Sequence, residues 1–453
     1  MYTPLPEEFK LRMTQELGAE AESLFKALDT EPLTSIRLHP LKPAEVFDGD
    51  VVGWSPCGRY LDERPQFTLD PLLHGGAYYV QEASSQFVGY LLRGLELDGS
   101  RVLDMCAAPG GKSTIYSTLV GRSGLVVAND ISRSRAMALA DNVQRWGIGN
   151  VVVTCNQPSH IGEFEHWFDV VAVDAPCSGE GMFRKMHEAR TEWSPSSPEV
   201  CAERQREILA QAWRALRPGG TLLYSTCTFN SLEDEGVVEW LAEEYGDDLV
   251  ASDRVAIDDS WGIVCRDIGP FQCFHFYPHK AQGEGFFAAI AHKAEGPTRR
   301  TSVKPRRKLF QMLPKADEAE VARWVDEPQR VAFRLVGDMI YGYDKRVVDD
   351  VVALSEALSV VYSGVCVGQI FKRKLKPEHP LALYIGFNVD VVPSVEVDLD
   401  TALAFLRRQD IAAAEFEEGI NRVTYRGVAI GFVKRIGARC NNMYPKDLRI
   451  LKL

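Results

Sequence analysis

The 453-residue sequence lacks long hydrophobic runs and any regular cysteine spacing. Nowhere do about 18 apolar residues follow one another, the length that a bilayer-spanning helix needs. The N-terminal residues MYTPLPEEFKLRM also lack the basic-then-apolar layout of a secretory signal. The ten cysteines show no C-x-x-C spacing, which argues against a disulfide framework and a zinc site. We therefore expect a cytoplasmic protein with reduced thiols, without metal or membrane contact, and we take it to be a monomer.

Positive charge is also scarce, because 51 Lys and Arg face 63 Asp and Glu and the formal net charge is −12. Such a deficit disfavours general affinity for nucleic acid, which relies on Lys and Arg. The charges are segregated, however. Acidic residues crowd into SLEDEGVVEWLAEEYGDD (231–248), whereas 299–308 and 434–453 each hold six basic residues. This distribution is compatible with a site-selective contact to nucleic acid; solvated faces and a linker are the alternative interpretation.

Strand-like and helical patterns alternate between residues 76 and 295, which predicts parallel strands with crossover helices. The runs GLVVAND, NVVVTCN and FDVVAVDAP are continuous and apolar, as in strands buried on both faces. A helical pattern before Gly147 predicts a C-cap at that glycine. The predicted fold class is α/β, with a doubly wound Rossmann-like sheet. The flanking units are an N-terminal α+β module (1–75), a basic linker (296–308), a mixed α/β module (309–390) and a β-rich end (391–453).

The segment DMCAAPGGKST (104–114) combines a strand end, a turn of small residues and a helix start. It misses the P-loop pattern because Cys106 replaces the first glycine and Pro109 removes an amide donor, although Asp174 could serve as the acidic partner. The dinucleotide pattern G-x-G-x-x-G is absent. Such a turn can instead admit S-adenosylmethionine, with Asp130 at the next strand end accepting the ribose hydroxyls. We favour the methyl donor; a P-loop enzyme and other doubly wound proteins are the alternatives.

Two further cysteines follow the ends of adjacent predicted strands, Cys177 in DAPCSGEG and Cys227 in STCT. Strand ends of a doubly wound sheet meet at one edge, so we expect both thiols to face the cofactor crevice. A single cysteine there is commonly core filler. A methyltransferase can use a thiolate that adds to carbon 6 of a pyrimidine, because the addition makes carbon 5 nucleophilic. Asp174 could then protonate or hydrogen-bond ring nitrogen 3 of a cytosine.

Four segments, DMCAAPGGKS, AND, DAPCSGEGMFRK and YSTCTFNSLEDE, resemble in order and spacing the motifs of the Sun (Fmu) family of RNA 5-methylcytosine methyltransferases. GAYYVQEASSQ and FYPHKAQGEGFFAAI extend the resemblance over about residues 1–292, and the C-terminal GFVKRIGARCNNMYPKDLRILKL is similar to the PUA-like end of the RsmF (YebU) branch. The resemblance implies S-adenosylmethionine-dependent methylation of cytosine in 16S ribosomal RNA. A tRNA-directed member of the family and a noncatalytic ribosome-assembly factor are the alternatives.

The resemblance also assigns roles to individual residues. It makes Cys227 the nucleophile and Cys177 the residue that assists product release. In DNA cytosine-5 methyltransferases the cysteine after proline attacks, so Cys177 as nucleophile is the alternative. Two positions depart from the family: Gln157 stands where an acidic residue accepts the adenine amino group, and His39 stands where Asn is more usual. The implied cofactor-binding residues are Cys106, Ala107, Ala108, Pro109, Gly110, Gly111, Lys112, Asp130, Arg135, Gln157 and Asp174.

Attack on carbon 6 requires the target base to leave its stack, at an energetic cost that is lowest in loops and single strands. We expect the flanking modules to offset that cost through contacts to RNA phosphates, with one aromatic side chain for stacking. The predicted RNA-binding residues are Arg184, Lys185, Lys434, Arg435, Arg439, Tyr444, Lys446 and Arg449.

Overall fold

The computed structural model describes residues 3–42, 46–297 and 300–451. Parts of the predicted N-terminal module (1–2, 43–45), basic linker (298–299) and C-terminal unit (452–453) lie outside the described residues. The N-terminal part contains α1 (Glu7–Leu17), α2 (Ala21–Leu28), β1 (Thr34–Leu38), β2 (Val51–Val52), β3 (Ser55–Leu61), α3 (Pro71–His74) and β4 (Tyr78–Val80). Its strands form an antiparallel sheet in the order β2-β3-β1-β4.

The central part contains the predicted alternation of strands and helices. Its elements are α4 (Phe87–Leu91), β5 (Arg101–Asp104), α5 (Gly111–Leu119), β6 (Leu125–Asn129), α6 (Arg133–Trp146), β7 (Val151–Thr154), α7 (Pro158–Ile161), β8 (Phe168–Asp174), α8 (His187–Glu192), α9 (Ser197–Ala215), β9 (Leu216–Thr226), α10 (Glu235–Tyr245), β10 (Leu249–Val250), β11 (Val264–Ile268), β12 (Phe271–Phe276) and β13 (Phe286–Lys293). Strands β9-β8-β5-β6-β7 are parallel neighbours in that order, and β13 joins β9 antiparallel. The doubly wound fold class is thereby confirmed.

Burial on both faces explains why these strands have continuous apolar sequences. Successive residues of β5 face opposite sides: Val102 packs in one hydrophobic core and Leu103 in the other. Every residue of β6 and β7 is buried. Helix α6 ends as predicted at Gly147, which has a φ of 77° in the left-handed region that favours glycine. The carboxyl ends of the five parallel strands therefore share one edge, where the turns after them meet.

Residues 309–390, which we predicted as a separate module, contribute to the central sheet. They form β14 (Gln311–Met312), α11 (Lys315–Ala322), β15 (Val331–Val336), β16 (Met339–Asp344), α12 (Val348–Ala357), β17 (Val360–Ser363), β18 (Val365–Phe371), β19 (Lys374–Pro377) and α13 (His379–Leu383). Most strands build a second sheet, β14-β15-β16-β18-β19, but β17 pairs antiparallel with β7. Val351 and Leu354 of α12 also pack in the core that contains Leu103. The pairing covers the backbone groups that β7 would otherwise expose at the sheet edge.

The C-terminal part contains β20 (Ser394–Glu396), α14 (Leu399–Leu406), β21 (Gly419–Tyr425), β22 (Val428–Ile436) and β23 (Arg439–Asn442). Its sheet has the order β20-β21-β22-β23. Ile36 and Phe67 of the N-terminal module share one hydrophobic core with Phe405 and Val423 of this part. The two modules that flank the central sheet in sequence are thus packed on each other in the fold.

Candidate active site

The turn after β5 brings a buried carboxyl and a thiol under the start of α5. Burial raises the pKa of Asp104 to about 7, against the hydrogen bond that Ser113 Oγ donates to Asp104 Oδ2 over 2.7 Å. Burial, followed by the charges of nearby carboxylates, also raises the pKa of Cys106, which therefore stays a neutral thiol. Gly110 has a φ of 112°, and a Cβ there would lie 2.9 Å from Leu139 Cδ1, so the turn requires glycine.

The turn is fastened to the neighbouring β6 segment by backbone and side-chain hydrogen bonds. Ala107 N–H donates to Asn129 O over 2.7 Å. Arg135 Nη2 donates to Ala108 O over 2.9 Å and lies 3.3 Å from Asp130 Oδ2. The Pro109 carbonyl accepts a hydrogen bond from a side-chain amide of α6. Arg135 thus holds the predicted cofactor turn and the predicted ribose acceptor in one arrangement.

The donor and acceptor set beyond β6 fits the adenosine half of S-adenosylmethionine. Asp130 is 3% exposed, and its Oδ1 accepts the Ser132 N–H over 2.9 Å. Gln157 is exposed at the end of the next strand, where its amide oxygen can accept one hydrogen bond without charge. Ile131, which we did not single out from the sequence, is 60% exposed and offers an apolar surface suited to an aromatic base. The position of Ile131 directly after Asp130 could have indicated this role from the sequence.

His39, the other departure, has a structural role. Leu41 N–H donates to His39 Nδ1 over 3.0 Å, which leaves Nε2–H to donate to Trp146 O, also at 3.0 Å. Burial, followed by nearby positive charges, lowers the pKa of His39 to about 2, so the ring is neutral. Lys42 Nζ donates to Arg145 O over 2.8 Å. Both side chains therefore satisfy carbonyls at the C-terminus of α6 and join the N-terminal module to the central domain.

The two cysteines predicted from the strand ends lie side by side. Cys177 Sγ and Cys227 Sγ are 3.2 Å apart, and Cys227 N–H points to Cys177 Sγ at 3.3 Å. Gly181 N–H donates to Cys227 O over 2.9 Å. A Cβ on Gly181 would lie 2.8 Å from that oxygen and 2.5 Å from Gly285 O, so only glycine allows the two loops to approach this closely.

Lys112, in the predicted cofactor turn, forms an ion pair with Asp174. Its Nζ lies 2.8 Å from Asp174 Oδ2, while Ser225 Oγ donates to Asp174 Oδ1 over 2.8 Å. Burial lowers the pKa of Lys112, but the charge and hydrogen bond of Asp174, followed by the charge of Cys227, more than offset this and raise the pKa above its usual value. Lys112 is therefore a stable ammonium that is paired with Asp174 and subject to the charge of Cys227.

Glu233 is a buried acid beside the thiols that sequence reasoning missed. Its Oε1 accepts the Ser178 N–H over 2.8 Å and the Gln205 Nε2–H over 3.0 Å, whereas Oε2 has no partner among the described residues. Burial raises the pKa of Glu233 to about 7. The hydrogen bond to Cys227, burial, and the charges of Cys227 and Glu233 in turn raise the pKa of Cys177 well above its usual value. Nothing in the segment SLEDE indicates that its first acidic residue, Glu233, is buried.

The predicted RNA-binding residues divide into buried and exposed groups. Arg184 is a correction: it is 6% exposed and its Nε and Nη2 donate to the Glu284 carboxylate, so it cannot meet an RNA strand. Tyr444 is a second correction, because it is 2% exposed inside the shared core of the flanking modules and cannot stack on a base. Arg435 is half-buried and donates to Phe416 O. The remaining predicted residues are exposed: Lys185, Lys434, Arg439, Lys446 and Arg449.

Within residues 3–42, 46–297 and 300–451, His, Cys, Asp and Glu side chains form no group of three that could hold a metal ion. No helix in these ranges is long and apolar enough to cross a membrane.

The doubly wound sheet, the small-residue turn and the family match together define an S-adenosylmethionine-dependent methyltransferase. The family description "16S rRNA methyltransferase RsmB/F" matches residues 95–292, the N-terminal domain of RsmF matches residues 5–83, and the RsmF PUA domain matches residues 392–450. The chain belongs to the ribosomal RNA small subunit methyltransferase F family and is an RNA methyltransferase. The predicted resemblance is thereby confirmed.

Relatives of known name match most of the chain. Ribosomal RNA small subunit methyltransferase F of Enterobacter sp. (strain 638) is 30% identical over 468 residues, covering 98% of this chain and 95% of its own. The protein of that name from Serratia proteamaculans (strain 568) is 32% identical over 386 residues, covering 82% and 78%. A solved methyltransferase homologue from Pyrococcus horikoshii is 27% identical with a TM-score of 0.52, covering 64% of this chain and 95% of that one.

Proposed function

We propose that this protein transfers a methyl group to carbon 5 of a cytosine in 16S ribosomal RNA through a covalent adduct between Cys227 and carbon 6. One observation carries the proposal: two thiols lie 3.2 Å apart at the strand edge where the cofactor turn and the Lys112–Asp174 ion pair also meet. A paired thiol has no part in direct transfer to an oxygen or an exocyclic nitrogen. Activation of a pyrimidine carbon, by contrast, requires a nucleophile that adds and later leaves.

The electrostatic surroundings favour Cys227 over Cys177 as that nucleophile. The pKa of Cys177 is raised well above its usual value, first by its hydrogen bond with Cys227, so it remains an S–H group at neutral pH. Cys227 is one of the groups whose charge raises the pKa of the Lys112 ammonium. The thiolate is the reactive form of a cysteine, so Cys177, which stays protonated, is the less suitable nucleophile. The S–H of Cys177 can then serve as the proton donor beside Cys227.

The proposed reaction proceeds in two stages. The Cys227 thiolate bonds to carbon 6, the electrons of the carbon 5–carbon 6 double bond form a carbon 4–carbon 5 double bond, and the electron pair displaced onto ring nitrogen 3 is stabilised by a hydrogen bond from the protonated Asp174 carboxyl. S-adenosylmethionine, when bound, supplies the electrophilic methyl group that carbon 5 takes. Water then takes the proton of carbon 5, the electrons of that C–H bond restore the carbon 5–carbon 6 double bond, and Cys227 leaves carbon 6 as a thiolate. Cys177, beside the departing sulfur, assists this release.

Substitution of each thiol tests the assignment. Cys227→Ala should abolish methyl transfer to 16S ribosomal RNA, while Cys177→Ala should accumulate a protein–RNA adduct that survives denaturing electrophoresis. Cys265→Ala removes an exposed thiol of β11 and should leave both methylation and adduct level unchanged. An adduct found only with Cys227→Ala would reverse the two roles, and methylation that persists in both variants would refute the covalent mechanism.

Asp130 and Gln157 are proposed to bind the ribose hydroxyls and the adenine amino group, with Ile131 against the adenine ring. Four exposed cations of the C-terminal part are proposed to contact RNA phosphates: Lys434, Arg439, Lys446 and Arg449. Because this part shares a core with the N-terminal module, truncation would unfold both, and point changes are the suitable probes. Lys446→Ala with Arg449→Ala should weaken RNA binding and leave the S-adenosylmethionine affinity unchanged; equal RNA binding would refute the contact.

The choice of 16S ribosomal RNA rests on the names of the relatives and has its own test. Bisulfite sequencing of total RNA from cells with and without the gene should show one or more 16S cytosines protected only when the gene is present. Protection of a tRNA cytosine alone would contradict the ribosomal substrate. Identical protection patterns in both cells would contradict cytosine methylation altogether.

A further inference from the structure

The hairpin that joins β18 to β19 carries a dense positive charge on an otherwise acidic protein. Its end, residues 371–376 (FKRKLK), is here named the basic tip. The basic tip holds four cations and no acid within six residues, and all four are exposed: Lys372, Arg373, Lys374 and Lys376. Within the described part of the chain, none of the four forms an ion pair. Their charge is therefore available to an external anion.

An aromatic ring stands among these cations. Phe371 is 66% exposed, and Lys372 Nζ lies 5.4 Å from its ring centroid. Phe371 is paired with Lys374 across the hairpin, and Gln369 is paired with Lys376. Side chains opposite each other or two residues apart share a face of the ribbon, so Phe371, Lys374 and Lys376 lie on one face while Leu375 is buried on the other. The exposed face thus combines an aromatic ring with two ammonium groups.

The backbone at the turn is held in an unfavourable conformation. Lys372 and Arg373 have φ values of 49° and 62°, in the left-handed region where side chains other than glycine are disfavoured. Positive φ at both central residues is the feature of a two-residue type I′ turn, which favours Asn-Gly. The chain instead has two exposed cations there. Backbone strain of this kind clusters at binding sites.

We infer that the basic tip is a second RNA contact, separate from the methyl-transfer edge, in which the cations bind backbone phosphates and Phe371 stacks on an unpaired base. Cations that track a phosphate backbone beside an exposed aromatic ring are the combination that binds single-stranded nucleic acid. The tip belongs to the second sheet, so it adds affinity for a large folded RNA without touching the reacting base. This inference rests on the proposed RNA substrate.

The type I′ turn offers a variant that separates binding from folding. Lys372→Asn with Arg373→Gly removes two charges and installs the residues that the turn favours, so the melting temperature should stay equal or rise. If each cation neutralises one phosphate, the slope of log affinity against log salt should fall by about 1.4, which is about 25-fold weaker binding at 0.1 M salt. Filter binding of full-length 16S ribosomal RNA across a KCl series measures both.

Two further variants sharpen the test. Phe371→Ala should weaken binding by about tenfold at every salt concentration without changing the slope, because stacking involves no released counterion. Lys345→Ala with Arg346→Ala is the matched control: it removes the same two charges from an exposed turn, but there Arg346 Nε lies 3.5 Å from Asp344 Oδ1. The control should keep its RNA affinity within about twofold, since an acid already neutralises that turn.

The outcomes distinguish this inference from the proposed function. An Asn-Gly variant that binds 16S ribosomal RNA with unchanged affinity and slope, while the wild-type protein binds and methylates it, would overturn the inference alone. Unchanged binding of naked RNA together with weaker binding of assembled small subunits would assign the tip to a protein partner and would also overturn it. Failure of the wild-type protein to bind or methylate the RNA would instead contradict the proposed function.

Discussion

The buried Arg184–Glu284 pair allows a quantitative test of a structural role against an RNA-binding role. The two side chains are 5% and 3% exposed, and Arg184 Nη2 donates to both Glu284 Oε1 and Gly283 O at 2.9 Å. Glu284→Leu would leave a buried guanidinium without its counter-charge. Loss of one partner of such a pair costs about 3–5 kcal/mol, so the melting temperature of a domain of this size should fall by about 10 °C. Scanning fluorimetry measures the shift.

The double variant Arg184→Met with Glu284→Leu is the control, because it buries no charge. It should recover most of the lost stability, since apolar replacements of both partners are often neutral or stabilising. At a temperature where all variants are folded, its affinity for 16S ribosomal RNA should equal that of the wild-type protein. A shift below about 2 °C for Glu284→Leu, or a shallower salt dependence of RNA binding in the double variant, would refute the structural interpretation of Arg184.

Three further outcomes are expected. Burial, followed by two nearby arginine charges, lowers the pKa of Lys42 from 10.5 to about 7. Between pH 7 and 10 the unfolded state therefore binds more protons than the folded state, and the melting temperature should rise with pH. Lys42→Met should flatten that rise. Glu233→Gln removes a charge that raises the pKa of Cys177 and should speed alkylation of that thiol, as read by mass spectrometry. Asp234→Asn should not, because burial raises the pKa of Asp234 and its carboxyl accepts a hydrogen bond from Thr226 Oγ1. Gln157→Asp should tighten S-adenosylmethionine binding about fivefold in calorimetry, and an equal affinity would contradict its contact with adenine.

The parallel strands and their shared edge could be predicted because the signal for them is local. A run such as NVVVTCN is apolar at every position only if both faces of the strand are covered, and β7 is buried at every residue. Once the strand ends were placed on one edge, the proximity of Cys177, Cys227 and Asp174 followed from topology. The proposed chemistry of these residues depends on their type and position, and both can be read from the sequence.

Pairings between distant segments had no local signal. The four residues of β17 join β7 across about 200 positions of chain, and nothing in VVYS distinguishes that partner from β16 or β18. The burial of side chains outside periodic elements could not be predicted from the sequence either. Tyr444 and Arg184 lie in basic segments that suggested an exposed face, yet the first packs in the core of two modules and the second pairs with Glu284. In both cases the partner lies at least 100 residues away.

Lys112 explains why a turn that fails as a P-loop still keeps the lysine of one. In a P-loop the lysine neutralises phosphate oxygens. Here the same position, at the start of α5, places an ammonium 2.8 Å from Asp174 Oδ2, and the charge of Cys227 contributes to the raised pKa of that ammonium. Under the proposed function, the turn that would hold the methyl donor therefore also supplies the cation that pairs with Asp174. Lys112 would then be tied to both tasks, and Cys106 in that turn needs only to be small and neutral, as the raised pKa of its thiol allows.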